Sequence, residues 1–157
     1  AAATYAKQLL DERNNVALMT YGDSIKRVDL DRGEHHLFKI LTSLSSVRPE
    51  GNLKLEIVLK DLLPYIPSGS PIILFSSLDD DHTISEAFTN TISRGYNITT
   101  LSPSSLDFEE KMKRIPHQPL LIARIERDNM ISEIRSFGMA VGDWKADEAV
   151  NTVLQGG

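Results

Sequence analysis

The sequence predicts an α/β fold with a doubly wound, mostly parallel sheet, and three observations support this class. Short apolar runs such as "VALMTYGD", "PIILFSS" and "YNITTLSP" alternate with segments of helical periodicity. The lengths of these segments match those of right-handed strand-helix-strand units, which place parallel strands side by side. The chain has 157 residues, 41% of them hydrophobic, which suffices for one compact core. We therefore expect a single domain over residues 1–157.

The first half of the chain predicts a helix, a hairpin and two further helices. "ATYAKQLLDERN" has helical periodicity and is expected to end near Asn14. "VALMTYGD" is unbroken and apolar, as in a strand buried on both faces, and "SIKRVDL" alternates like a partner strand at a sheet edge. Apolar residues then recur at helical spacing from Leu37 to Leu44 and from Leu55 to Leu62.

The second half predicts three strands with helices between them. After "PIILFSS", Thr83 followed by Glu86 is a capping-box signature for a helix that Gly95 ends. The strand "YNITTLSP" is followed by an acidic-started helix, "SSLDFEEKMKRI", and by a longer one, "PLLIARIERDNMISEIRSFG", that Gly138 ends. "MAVGDW" is typical of a last strand and "KADEAVNTVLQ" of a terminal helix.

The composition excludes several classes of function. A formal net charge of -5, a pI near 5.3 and scattered basic residues argue against a nucleic-acid partner. The absence of cysteine excludes disulfides, a Cys-based zinc site and a thiol nucleophile. No apolar run in the sequence is long enough for a membrane span. We expect a cytoplasmic location.

Five segments follow one another in an order that resembles a known family: "NNVALMTYGD", "RPEGNLKLEIVLKDLL", "PIILFSSLDD", "SRGYNITTLSP" and "IARIERDNMISEIRSFGMAVGDW". Together they resemble the von Willebrand factor A-like domain of the domain-of-unknown-function family 58. The last segment is the most specific, and the resemblance extends from the first helix to about Leu154. Members are typically encoded beside AAA ATPases of the MoxR type. The resemblance therefore implies an adaptor or assembly role without catalysis.

Domains of this kind usually hold Mg²⁺ at the carboxyl end of the sheet, through an Asp-x-Ser-x-Ser loop, a Thr and an Asp. The loop and the central strand before it would precede the first helix, and the sequence begins inside that helix. Leu53 stands where the Thr would fall, and an isobutyl group cannot ligate a hard cation. Ser77 stands where the Asp would fall and brings no formal charge. We therefore expect no metal of this type and no cofactor.

The resemblance also implies that a first, central strand is absent from this chain. Its neighbours would be the strands at 16–21 and 72–75, each left with an apolar edge. Three completions stay open: the two strands pair directly, another chain supplies a strand, or an upstream part of a longer polypeptide does. Family members often carry membrane helices ahead of this domain, so the last case would place the domain at the cytoplasmic face of a membrane.

We predict that the chain is a non-catalytic interaction module whose partner is a MoxR-type AAA ATPase. Loops of open α/β sheets converge at the carboxyl ends of the strands, so the binding surface is expected there. The residues assigned to that surface are Gly51, Asn52, Leu53, Ser76, Ser77 and Asp79. With Leu53 in its rim, this surface would bind through apolar contact.

The alternative function is that of a Mg²⁺-dependent phosphohydrolase. "DDDHT" has the Asp-x-Asp-x-Thr spacing of haloacid-dehalogenase-like enzymes, with Asp79 as nucleophile and Asp81 as general acid or base. Three residues separate Asp79 from the preceding strand, whereas the nucleophile should follow directly. The competing interpretation is that these aspartates solvate a loop at the positive end of the next helix.

The remaining candidates are expected to be structural. His35 and His36 are predicted to face solvent at a helix start, since no further ligand at zinc spacing follows them. Trp144 is predicted to cover the core at the end of the last strand. The turn before the third strand is predicted to contain Ser68, Gly69 and Ser70, which lack the flanking pattern of a nucleophile elbow. A solvated helix face is expected to contain Arg124, Glu126, Arg127 and Asp128.

Overall fold

The computed structural model describes residues 1–48, 51–78, 83–104, 106 and 117–144, with side chains in the last range from residue 121. Its chain divides into two compact units, residues 1–68 and 69–157. Within the described residues it is an α/β structure whose larger sheet is parallel and flanked by helices, as predicted. None of the described helices is long and apolar enough to cross a bilayer.

The first unit combines a β-hairpin with three helices. Its elements are α1 (Ala2–Asp11), β1 (Val16–Thr20), β2 (Lys26–Asp31), α2 (Glu34–Ser45), α3 (Leu55–Leu62) and a short 3-10 turn at Leu63–Tyr65. The two strands are antiparallel, with a register shift between Val16 and Leu18. The predicted hairpin and its exposed second strand are therefore confirmed.

The core of the first unit lies between the hairpin and the helices α1 and α2. Ala6 and Leu10 are buried on α1, and Ile40 is fully buried on α2. Half-buried apolar residues surround them: Val16, Leu18, Val28, Leu37 and Leu44. The strand members alternate along the chain and so share one face of the hairpin, which is the face the two helices cover.

The opposite face of the hairpin contacts the short 3-10 turn. The guanidinium carbon of Arg27 lies 3.4 Å from the centroid of the Tyr65 ring, a cation–π contact. Arg27 Nε also donates to Asp29 Oδ1 at 2.9 Å. Hydrogen bonding to Tyr65, and then to Asp29, raises the pKa of Arg27 above its ordinary value. The hairpin is thus held between helices on one side and an aromatic residue on the other.

The prediction for His36 was wrong, because this side chain is 1% exposed while His35 faces solvent as expected. His36 Nε2 lies 2.6 Å from the carbonyl oxygen of Val16, which can only accept, so the ring donates an N–H to it. Nδ1 is buried and has no hydrogen-bond partner among the described residues. His36 therefore links the start of α2 to the start of β1 as a structural residue.

Strand β1 is less buried than its apolar sequence predicted. Every residue from Val16 to Thr20 is half-buried, whereas burial on both faces was expected. The strand has β2 on one side, and among the described residues of this unit no strand pairs with its other edge. In the second unit the outer edge of β3 likewise has no partner among the described residues. The three ways of completing the sheet that were given above all stay open.

The second unit is built on a parallel sheet in the order β3-β4-β5. Its elements are β3 (Pro71–Phe75), α4 (Ile84–Ser93), β4 (Asn97–Pro103), α5 (His117–Ser136) and β5 (Ala140–Trp144). The central strand β4 is buried on both faces, since Thr100 and Leu101 are each about 1% exposed. Both adjacent ladders are in continuous register, from Pro71 with Asn97 to Pro103 with Trp144.

Helices α4 and α5 pack beside β4 and β5 and are joined to each other. Phe88 on α4 and Ile134 on α5 are fully buried. The hydroxyl of Ser85 donates to Glu133 Oε1 at 3.2 Å, so the two helices are neighbours. Two consecutive right-handed crossovers that each move one strand in the same direction place their helices on the same face of a sheet, which accounts for this contact.

The observed ends of α4 and α5 can be compared with the residues predicted to start and end these helices. Gly95 and Gly138 follow α4 and α5 with φ of +83° and +80°, the left-handed conformation of a helix-ending glycine, as predicted. Thr83 occupies the position before α4, but its side chain makes no capping hydrogen bond to the helix. The predicted helix at 104–115 lies almost wholly outside the described residues, and so does the terminal one at 145–155.

Candidate functional site at the carboxyl end of the parallel sheet

The carboxyl ends of β3, β4 and β5 lie side by side in the second unit. Beyond the strand ends the ladder continues, because Ser76 N–H donates to Leu101 O at 3.2 Å and Ser104 N–H to Trp144 O at 3.1 Å. In open α/β sheets this end of the strands is where ligand and partner sites form. A binding site is therefore expected at this end of the strands.

Arg127 lies at the centre of this end of the sheet. Its side chain is 6% exposed, and it reaches from α5 to all three strand ends. Nη1 donates to the carbonyl oxygen of Ser77 at 3.1 Å, after β3. The two N–H groups of Nη2 are shared among three acceptors, the carbonyl oxygen and the hydroxyl of Ser102, both at 3.0 Å, and Asp143 Oδ1 at 2.8 Å. We call these four residues, Ser77, Ser102, Arg127 and Asp143, the arginine cluster.

The arginine cluster is electrically neutral, since one guanidinium is opposed by one carboxylate. The side chain of Asp143 is 30% exposed, so water reaches the acidic partner while the guanidinium is enclosed. Hydrogen bonds from a charged donor are stronger than neutral ones, and a buried guanidinium needs them to offset its desolvation. The cluster therefore fixes the positions of the three strand ends relative to one another.

Ser76 and Ser77, two of the predicted surface residues, have identifiable structural roles. The carbonyl oxygen of Ser77 accepts from Arg127 and also from the hydroxyl of Ser102 at 2.9 Å, which uses both of its lone pairs. The Ser76 hydroxyl accepts from Leu78 N–H at 3.3 Å. Leu78 is buried with φ of +62°, a conformation that costs energy for a residue with a branched side chain. Local hydrogen bonding thus shapes the turn after β3.

The predicted residues Gly51, Asn52 and Leu53 lie in the first unit, against the end of β1. Leu53 N–H donates to Gly22 O at 3.4 Å. Gly51 has φ of +124°, and a Cβ there would overlap the backbone of Gly22 and Asp23. Only glycine meets both requirements, because it has no side chain and tolerates positive φ. The glycine at position 51 is therefore explained by backbone packing.

Replacing Gly51 with alanine should destabilise the first unit by about 2 kcal/mol or more, because left-handed strain is added to a backbone clash. The matched control is Gly33→Ala, at φ of +88° with no atom within 4 Å of the new Cβ. That variant should lose only the conformational strain of a position with ψ of 175°, about 1 to 3 kcal/mol, and less than Gly51→Ala loses. Urea unfolding of both variants measures the difference. Equal losses would show that Gly51 does not make the close contact.

The six predicted surface residues thus divide between the two units. Gly51, Asn52 and Leu53 belong to the first, Ser76 and Ser77 to the second, and Asp79 lies outside the described residues. Their grouping into one surface stays a prediction. Asp81 and His82 also lie outside the described residues, so the phosphohydrolase alternative stays a prediction as well. Within the described ranges, no three His, Asp or Glu side chains group as metal ligands would.

The other sequence candidates mostly have the structural roles predicted for them. The chain turns at Ser68 and Gly69 before β3, with Gly69 at φ of +79°. Trp144 ends β5 and is half-buried. Arg124, Glu126 and Asp128 are exposed on α5. The prediction for Arg127 was wrong, because it was assigned to this same solvated face and is buried.

Sequence reasoning missed Arg127 and Asp143 as site residues, although a signal for Arg127 was present. Ile131 and Ile134 follow it at spacings of four and seven residues, and both are buried. Residues at these spacings share one face of a helix. Arg127 therefore continues the core-facing stripe of α5, where an arginine needs polar partners. For Asp143 the placement beside Trp144 at the strand end was the only indication.

Comparisons with known proteins support the fold and no more. No family model matches the chain, and no curated protein does. The chain is similar to the crystal structure of the conserved hypothetical protein BatB from Bacteroides thetaiotaomicron, with a TM-score of 0.50 and 14% sequence identity. The match covers 65% of this chain and 54% of that one, so the chain spans about half the length of that structure. The described architecture is compatible with a Rossmann-like fold of the von Willebrand A type.

Proposed function

We propose that the chain is a non-catalytic adaptor that binds a protein partner, and that the partner is an AAA ATPase of the MoxR type. The partner class comes from the resemblance to family 58, and with it the expectation of a cytoplasmic location. The observation that supports an interaction role is an exposed apolar face on α5. Leu121, Ile122 and Ile125 are 50%, 62% and 60% exposed there.

The exposed apolar face lies opposite the side of α5 that packs in the core. At 100° per residue, Ile125 lies about 160° around the helix from Arg127, which points into the arginine cluster. Ile131 and Ile134 share the buried side with Arg127. Among its described residues, α5 thus has buried apolar side chains on one side and exposed apolar side chains on the opposite side, whereas a helix at the surface of a monomer has one apolar side. Exposed apolar patches of this kind favour protein contacts.

Charged residues border the apolar face. Arg124 and Asp128 flank Ile125 on α5, and both are exposed. A polar rim around apolar anchors is the usual composition of a non-obligate interface. The proposed partner therefore presents apolar side chains with charges at their margin. A second binding surface is proposed at Gly51, Asn52 and Leu53 of the first unit, with Ser76, Ser77 and Asp79 of the second unit as further candidate contacts.

The proposal is tested by capturing the ATPase with purified variants as bait, with and without ATP. Ile125→Asp should reduce retention of the ATPase about tenfold, because a charge replaces an apolar contact in the interface. Asn129→Asp is the matched control, since it adds the same charge to the same exposed side one turn further along. Its retention should equal that of the unaltered chain. Leu53→Asp tests the second surface in the same assay.

Each outcome of the capture assay has a distinct meaning. Nucleotide-dependent retention that is lost only in Ile125→Asp supports the apolar face of α5 as the binding site. Retention lost only in Leu53→Asp would move the site to the second surface. If the unaltered chain retains no AAA ATPase, the proposed partner class is wrong.

A further inference from the structure

We propose that the guanidinium of Arg127 takes the place of a divalent cation at the carboxyl end of the parallel sheet and excludes such a cation from it. The resemblance to family 58 implies Mg²⁺ at this end of the sheet. The residues present do not fit that ion, because Leu53 offers no oxygen and the Ser77 side chain no charge, and the arginine cluster adds a fixed positive charge at the same end of the sheet. This inference concerns the chain alone and does not rest on the proposed partner.

The oxygens of the arginine cluster are of the kinds that a hard cation binds. Mg²⁺ requires a near-octahedral set of oxygen ligands and prefers carboxylates among them. The cluster offers backbone carbonyls of Ser77 and Ser102, the Ser102 hydroxyl and Asp143 Oδ1. All four accept hydrogen bonds from Arg127 at 2.8 to 3.1 Å. A divalent ion that bound these four oxygens would therefore have to displace the guanidinium.

The charge balance leads to the same conclusion. Arg127 and Asp143 form an ion pair at 2.8 Å, so the cluster already contains one positive and one negative charge. Counting only the four residues of the arginine cluster, a divalent ion would raise the positive charge to three against the one carboxylate of Asp143. Repulsion between charges at such distances is screened less inside a protein than in water. Cation binding is consequently disfavoured as long as the guanidinium is present.

The guanidinium of Arg127 can hold oxygens of different strands close together, as a bound metal ion would. It draws oxygens from three separate strand ends toward one positive charge, and it does so through the planar, multidentate geometry of arginine. Unlike a metal, it is covalently part of α5 and cannot be removed by a chelator. The carboxyl end of this sheet is thus expected to keep its shape in the presence of EDTA.

The first test uses the unaltered chain and Mn²⁺ as the probe. Paramagnetic Mn²⁺ broadens the NMR signals of amides close to its binding site. We expect the amides of Ser77, Ser102 and Asp143 to keep their line widths at millimolar Mn²⁺. Selective broadening of these three amides would overturn the proposal, because it would place a divalent cation among the oxygens assigned to Arg127.

The second test removes the charge and measures melting temperature in EDTA and in millimolar Mg²⁺ or Ca²⁺. Arg127→Gln keeps a hydrogen-bonding side chain but no charge, and we expect it to melt at a higher temperature with the cation than with EDTA. Arg127→Lys retains the charge and should show no such difference. Glu126→Gln, an exposed change on the same helix, should behave as the unaltered chain does.

The response of Arg127→Gln should disappear when Asp143→Asn is added, since the carboxylate is the charged ligand available to the ion. A folded Arg127→Gln variant without any cation response would overturn the proposal, and so would an equal response in Arg127→Lys. If Arg127→Gln does not fold, the Mn²⁺ experiment on the unaltered chain decides by itself.

Discussion

Replacing Arg127 with leucine should lower the free energy of unfolding by about 3 kcal/mol or more, since breaking a buried ion pair leaves its partners without compensation. Leucine fills part of the volume but offers no donor to Ser77, Ser102 or Asp143. The loss should exceed that of one neutral hydrogen bond, about 1 kcal/mol, because the three strand ends lose a common donor. Urea unfolding followed by the fluorescence of the single tryptophan, Trp144 in β5, measures it.

The matched control is Glu126→Leu, directly before Arg127 on the same helix and exposed. This variant should stay within about 0.5 kcal/mol of the unaltered chain, as is usual for surface substitutions. The double variant Arg127→Leu, Asp143→Leu should recover part of the loss, because no unpaired carboxylate remains. Equal stability of the two single variants would contradict the role assigned to the arginine cluster.

Replacing Phe88 with alanine should cost about 3 to 5 kcal/mol, the range for truncating a buried phenylalanine. Phe88 is fully buried on α4, a helix that packs against the central strand β4. The change removes apolar contact and leaves a cavity that a parallel sheet with helices packed on it cannot easily close. The same unfolding experiment on Trp144 fluorescence measures the loss in this unit.

Phe137→Ala serves as the control for Phe88. Phe137 lies directly after α5 and is 48% exposed, so its removal leaves no enclosed cavity. We expect a loss of about 1 kcal/mol or less, in proportion to the apolar area it buries. A loss as large as that of Phe88→Ala would mean that Phe137 packs more closely than its exposure indicates.

The sequence predicted the elements whose signals are local. β3 and β4 were recognised because their apolar runs are bounded by turn residues, and the end of α5 because Gly138 follows it. Helical periodicity likewise placed α2 and α3. In each case about a dozen neighbouring residues suffice for the prediction, because local backbone preferences and the spacing of apolar residues determine the element.

The candidate site was predicted less well because it depends on distant contacts. Arg127 stands in the charged stretch "ARIERDN", which alone indicates a solvated face. Its burial results from hydrogen bonds to Ser77 and Ser102, which are 50 and 25 residues away in the sequence. His36 is a similar case, since its partner Val16 is 20 residues away. Spacing within one helix cannot reveal which carbonyls the fold will bring to it.

The separations along the chain also determine when the arginine cluster can form during folding. Arg127 joins residues 50, 25 and 16 positions away, so the contacts close long loops whose entropy must be lost first. The cluster is complete only after β3, β4 and β5 have all been placed. We therefore expect its hydrogen bonds to form late in folding, and their removal to speed the unfolding of the sheet more than it slows folding.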